Sequence, residues 1–244
     1  MKLLISNQHG AIVMALLPFL YGMFLAPFDP ISLLLLCAWI ALYLTTYPFL
    51  NLFKGKKLTL YKKWTFIYGS ISFLFALIPL YYHWQIIYFM LPMIPLVFIN
   101  IYYVKHKDER ALGNDFTAIL IFALAGMGSY YFSANKFDIN IWKVAIYPTI
   151  FFIGTTLYVK SVLRERKNPR YYQASILFNL VCIIIFLPWH NYYMACVFLP
   201  SFIRAYYLPK IKLSVKQVGL IEFAISFLFL SMLCLEPKVT SLIS

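Results

Sequence analysis

The chain has 244 residues, of which 63% are hydrophobic and 12% charged, with a mean hydropathy of +0.78 and a net charge of +13. A soluble domain carries about 25% charged residues, and no soluble core hides this much apolar surface, so a bilayer is the fitting solvent. The basic residues are dealt out among several short loops rather than along one face, which argues against nucleic acid and for an anionic leaflet as their neighbour.

In chain order, residues 1–10 carry Asn7, Gln8 and His9, with no small-residue cleavage site after a short apolar core. The first apolar stretch is therefore expected to stay as the first span. Crossing the hydrocarbon takes about 20 apolar residues. Windows of that kind fall near 11–27, 31–53, 65–82, 86–104, 115–133, 141–163, 172–188, 192–207 and 216–235. The fold class predicted is all-α, a polytopic transmembrane bundle of nine helices forming one domain, two of the helices short. Prolines 18, 79, 92, 95, 148 and 200 fall inside these windows and are expected to mark kinks.

All but three of the 21 Lys and Arg residues lie on one side of this zigzag. Lys2 precedes span one. Lys54, Lys56, Lys57, Lys62 and Lys63 follow span two, and Lys105, Lys107 and Arg110 follow span four. Lys160, Arg164, Arg166, Lys167 and Arg170 surround the loop after span six, and Arg204, Lys210, Lys212 and Lys216 the loop after span eight. Lys136, Lys143 and Lys238 face the other way. The positive-inside rule then predicts a cytoplasmic N-terminus and an external C-terminus. Trp64, Trp84, Trp142 and Trp189 lie at span ends, as an interfacial belt requires, and Trp39 lies mid-span. Cys37, Cys182, Cys196 and Cys234 all sit in apolar stretches without CxxC spacing, and read as small buried hydrophobes.

Two segments correspond. FKGKKLTLY (53–61) and LRERKNPRY (163–171) share an apolar–basic–x–basic–basic opening and a closing Tyr. His83 and His190 mark corresponding outer turns. This suggests parallel repeats over 1–110 and 111–215, with an added helix over 216–236. The bland alternative is that basic loops follow every second span in any such topology.

NQHGAIVMALLPFLYG (7–22), KDERALGNDFTAI (107–119), GTTLYVKSVLRERKN (154–168) and the stretch from Arg204 through Lys212 to Gly219 and Glu222 resemble the YwiC-like family of bacterial membrane proteins. Ile12 departs from the Trp expected after His-Gly-Ala. Membership implies a polytopic fold and little mechanism. The arrangement of four, four and one helices is also similar to the UbiA prenyltransferase superfamily, which implies Mg²⁺ held on Asp-rich motifs in the loops after helices two and six. Here those loops carry Lys54, Lys56 and Lys57, and Arg164, Arg166 and Lys167, with Glu165 their one acid. Mg²⁺ needs carboxylate oxygens, so metal-dependent prenyl transfer is not expected; Lys and Arg can hold phosphate directly.

The ligand-binding candidates are His9, Arg110, Asn114, Asp115, Lys160, Arg164, Arg204 and Glu222. His9 is a proton carrier or ligand, or else an interfacial cap. Asp115 with Asn114 opens span five and is placed to cap it, while Arg110 can reach a lipid phosphate. Lys160 and Arg164, four apart, are expected to share a helix face within the densest basic cluster. They are either topology determinants or an anion grip. Glu222, two turns into span nine, needs a partner, and Arg204 is the natural one. That pair is a structural clasp or a proton-coupled site. Asn100 and Asn179 are expected to bond between helices, and His83 and His190 lie on turns unsuited to haem. No phosphate loop, zinc spacing or nucleophile elbow is present, so no cofactor or catalytic residue is indicated. The predicted partners are the bilayer, its anionic headgroups and an amphiphile such as an isoprenoid. The function expected is binding of an anionic lipid or isoprenoid in a cytoplasm-facing cavity. Enzymatic turnover stays open, and a solute transporter or a non-catalytic assembly partner are the alternatives.

Overall fold

A computed structural model describes residues 4 and 9–243, with side chains at 4 and 10–236. Within them the chain forms nine helices and no strand: α1 (His9–Leu25), α2 (Ser32–Leu52), α3 (Leu58–Tyr82), α4 (Trp84–Lys105), α5 (Leu112–Ala134), α6 (Ile139–Arg164), α7 (Pro169–Ile184), α8 (Tyr192–Tyr207) and α9 (Val215–Ile243). Six of these, α2 to α6 and α9, are long and apolar enough to cross a membrane. The protein is a polytopic membrane protein. Helices α1, α7 and α8 have 17, 16 and 16 residues. At about 1.5 Å per residue they reach roughly 25 Å, short of the ~30 Å hydrocarbon.

The chain divides into two compact units, Met1–Ile146 and Tyr147–Ser244, with the division falling inside α6. In the first unit α1 pairs with α5, and α2 with α3. The α1–α5 pair is a backbone contact. A Cβ on Gly22 would run into Gly126 O, and one on Gly126 would sit 2.6 Å from Pro18 O. Small residues let two membrane helices approach this closely, where dispersion rather than water exclusion drives association. Ser129 Oγ donates to Phe19 O at 2.9 Å and locks the register. Trp39 sits at the centre of this unit. Its ring stacks on Phe19, meets Phe122 edge-on, and its Nε1–H donates to Ala15 O at 2.9 Å. That bond explains a mid-span Trp, since a buried indole N–H needs an acceptor.

Helix α4 opens as a 3₁₀ turn and breaks at Leu91–Pro92 before resuming at Met93, because Pro92 has no N–H to continue the ladder. Lys54 and Glu109 pair at 2.6 Å, bringing the loop after α2 to the loop after α4. At the other end α5 stops at Asn135 in the left-handed region, φ 49°. Asp138 then accepts from Lys136 Nζ, Tyr130 OH and the Asn140 N–H at 2.9, 2.9 and 3.0 Å. The Lys136 hydrogen bond holds the Asp138 carboxyl below its ordinary range.

In the second unit α7 packs on α8 and α8 on α9. An aromatic stack runs through it: Phe151 on Phe229, Phe229 against Phe198, and Phe198 on Phe186. Gly154 lets Asn179 approach α6, where a Cβ would sit 2.9 Å from Asn179 Oδ1. Asn179 bonds the Ser175 carbonyl of its own helix, not the neighbouring helix as expected. Trp84 and Trp142 are exposed near helix starts and Trp189 is exposed in the turn between α7 and α8, as an interfacial belt requires, but Trp64 is buried inside α3.

Candidate functional site

Three helices of the second unit converge on one ion pair. Arg204 lies in the last turn of α8 and Glu222 in the second turn of α9. Nη1 donates to Glu222 Oε2 at 2.5 Å, and the two side chains are 1% and 9% exposed. Glu222 lies seven residues from the start of α9, about 10 Å along the helix axis. The α6 helix supplies the rest. Arg204 Nη2 donates to Thr155 Oγ1 at 3.3 Å, and the guanidinium lies 4.6 Å from the Tyr158 ring centroid and 6.0 Å from that of Phe151. Stacking on aromatic faces suits a weakly hydrated, planar cation.

The two partners are not equally supported. Arg204 has a carboxylate, a hydroxyl and two rings. Glu222 accepts one bond through Oε2, and its Oε1 is buried without a partner, as are Arg204 Nε, Tyr158 OH and Ser201 Oγ. Each such atom costs about 1–3 kcal/mol when left unsatisfied. Over Tyr158, Val162 and Val218 form a buried apolar cluster with Leu163, Leu208 and Leu213 packed against it.

Nearer the loop, α6 changes pitch. Lys160–Arg164 is a single π turn closed by Glu165 N–H donating to Lys160 O at 2.7 Å. Such turns recur at functional sites. Lys160 is buried and Arg164 exposed, so they do not share the environment expected of an i, i+4 pair. Beyond the π turn lies an open depression of about 530 Å³ lined by Arg164, Glu165, Arg166, Lys167, Asn168 and Pro169. It faces the N-terminus of α7, where Asn168 caps by accepting from Arg170 N–H at 3.1 Å and Pro169 takes the first helical position. Arg166 Nη2 donates to Ile211 O at 3.3 Å, joining this loop to the one before α9.

The other candidates lie in the first unit. His9 starts α1, and its side chain lies outside the described residues. Arg110 is exposed in the loop before α5. Asn114 Nδ2 donates to Glu109 O at 2.8 Å. Asp115 is not the cap of α5: the helix begins at Leu112 behind Ala111, which makes no side-chain cap bond. Asp115 falls within the first turn, where its charge still complements the helix dipole. Arg204 and Glu222 are marked as a pair in the sequence, whereas Thr155, Tyr158 and Ser201 carry no such mark of charge. Phe151, Thr155, Tyr158 and Val162 recur at spacings of four, three and four, which places them on one helical stripe. That spacing was the available signal.

Among the described residues no group of three or more His, Cys, Asp or Glu could hold a metal. The α6–α7 depression, with three cations and one acid, does not fit the Mg²⁺ that a UbiA-like reading implies. The profile of the YwiC-like protein family matches residues 5–130. The chain belongs to the YwiC-like family. It is 61% identical to an uncharacterized protein of Haemophilus influenzae, over 96% of this chain and 98% of that one. It is 33% identical to the uncharacterized protein YwiC of Bacillus subtilis, over the same shares. No solved structure matches it.

Proposed function

We propose that this protein binds an anionic amphiphile at the basic end of its second unit, in a bacterial cytoplasmic membrane with the basic loops on the cytoplasmic side. The observation that carries this reading is the open depression of about 530 Å³ at the α6–α7 loop, with Arg164, Arg166 and Lys167 on its walls. Three cations beside a helix N-terminus favour phosphate or carboxylate oxygens. Their position at the end of α6 supports lipid headgroups as the source of those oxygens. The Arg166–Ile211 bond gives the rim some rigidity. Lys160, at the start of the same π turn, is buried away from bulk solvent.

The test is mass spectrometry of lipids that co-purify with the protein extracted gently from its own membrane. The wild type is expected to carry one anionic lipid or isoprenoid enriched at least several-fold over the bulk membrane. The triple variant Arg164→Ala, Arg166→Ala, Lys167→Ala is expected to lose that enrichment while keeping its helix content. A bulk lipid profile, unchanged between the two, removes this reading and leaves transport or an assembly role.

A further inference from the structure

The buried pair has an asymmetry that a simple clasp does not need. Arg204 is supported from α6 by Thr155, Tyr158 and Phe151, independently of Glu222. Glu222 holds on through one oxygen and leaves the other unpartnered. If Glu222 becomes neutral, the cation keeps a hydroxyl and two aromatic faces. If Arg204 were lost, Glu222 would keep nothing that the structure shows. The carboxylate is therefore the exchangeable member.

We propose that Arg204 is an interior anion site held in reserve by the chain's own Glu222, and that a singly charged oxyanion on an apolar chain displaces it as Glu222 takes up one proton. This rests on the amphiphile reading of the second unit, and places a second anchor below the surface depression. Charge decides the stoichiometry. The node is neutral as it stands, with one guanidinium and one carboxylate. A second anion added beside Glu222 would leave a net buried charge, which a low-dielectric interior penalises heavily. One incoming negative charge together with one proton on Glu222 restores neutrality: the Arg204–Glu222 ion pair breaks, an Arg204–ligand ion pair forms, and the proton comes from the aqueous phase. The incoming oxyanion would meet donors that Glu222 leaves unused, namely Arg204 Nε–H and the hydroxyls of Tyr158 and Ser201, all buried without a partner. The charged group set against Glu222 is Arg204 from α8, and the Tyr158 ring of α6 faces the same guanidinium. Entry from the basic end requires the apolar cap of Val162, Val218, Leu208 and Leu213 to part.

A carboxylate and a phosphodiester both satisfy this chemistry, and they point to a fatty acid or a lipid headgroup as the source. The experiment measures binding of radiolabelled dihexadecyl phosphate and of palmitate to the full chain in phosphatidylcholine nanodiscs at pH 5.5, 7 and 8. The phosphodiester stays anionic throughout, so its pH slope reports the protein. For the wild type, uptake of one proton per anion lowers affinity about tenfold per pH unit wherever Glu222 is ionised. Glu222→Gln mimics the protonated acid, so it is expected to bind the probe at least tenfold tighter than wild type at pH 8, with a flat pH profile. A merely misfolded variant does not gain affinity. Arg204→Gln is expected to lose binding. Binding of palmitate alone assigns the carboxylate class, and of dihexadecyl phosphate alone the phosphodiester class. No gain in Glu222→Gln, or no binding of either probe, overturns the interior site. Enrichment of a native lipid that depends on Arg164, Arg166 and Lys167 would then still stand for the surface site.

Discussion

Single residues show most clearly how this chain handles charge next to lipid. Asp138, between α5 and α6, gathers Lys136, Tyr130 and the Asn140 amide, and the Lys136 bond lowers its pKa. A carboxyl whose folded pKa is depressed adds stability that is present above the unfolded carboxyl range and is lost as pH falls through the folded value. Thermal unfolding of the purified protein in a non-ionic detergent should therefore show a loss of midpoint below about pH 4, in the range of ordinary Asp ionisation. Asp138→Asn should flatten that part of the profile by lowering the neutral midpoint to the same extent, a small one because the pair is largely exposed. Lys136 moves the opposite way, its pKa raised first by the hydrogen bond to Asp138, so its share fades only as pH rises through the lysine range. An acid limb equally steep in Asp138→Asn would assign it to other carboxyls. Arg204 with Glu222 was legible as a pair from sequence, because an acid two turns into an apolar span has few partners to choose from. Thr155 and Tyr158 were not, since both are common packing residues and their significance lies in what crosses from α8.

Among the elements, the close crossing of α1 and α5 is the most exacting contact. At Gly126 the obstacle to a side chain is the Pro18 backbone, 2.6 and 2.8 Å from the position a Cβ would take. Backbone cannot rotate away as a side-chain tip can, so Gly126→Ala has to push the helices apart. The expected cost is about 1–3 kcal/mol, the range for overpacking, read as a lower unfolding midpoint in detergent. Gly69→Ala in α3 is the control: nothing lies within 4 Å of its Cβ position, and the exchange should be neutral or slightly stabilising. Equal losses in both would show that the crossing is looser than described. Helix limits were largely readable from hydropathy, with 31–53 and 115–133 expected against Ser32–Leu52 and Leu112–Ala134 observed. The start of α3 was missed by seven residues, because Lys62 and Lys63 broke the apolar window although their long stems let a helix carry them at a lipid boundary. The break at Leu91–Pro92 was legible from Pro92, one of the prolines expected to mark kinks, whereas the π turn at Lys160 is a hydrogen-bond event that leaves no hydropathy signal.

At the scale of the whole molecule the charge asymmetry is the governing fact. In the nine-span topology expected from the sequence, only Lys136, Lys143 and Lys238 stand against the remaining basic residues, and loops this short are the ones on which the positive-inside rule operates. In a background with Cys37, Cys182, Cys196 and Cys234 replaced, a single cysteine at Lys56 should react with a membrane-impermeant maleimide only after the cells are opened. One at Phe137, in the α5–α6 turn, should react on intact cells. The reverse pattern would invert the orientation and move the α6–α7 depression to the outside, where a cytoplasmic ligand could not reach it.

The α1–α5 crossing also bears on how the molecule is made. Gly22 and Gly126 touch, yet three helices are synthesised between them. At about 5–20 residues per second, the ribosome needs on the order of 5–20 s to deliver α5 after α1. For that time α1 waits in the bilayer with its glycine-notched face open, a short helix whose partner does not yet exist. Its own contacts with α2 are few, so little of this chain covers that face in the interval. Biogenesis of this chain is thereby most vulnerable at its beginning, and a pause in translation between α4 and α5 would be felt at the N-terminus.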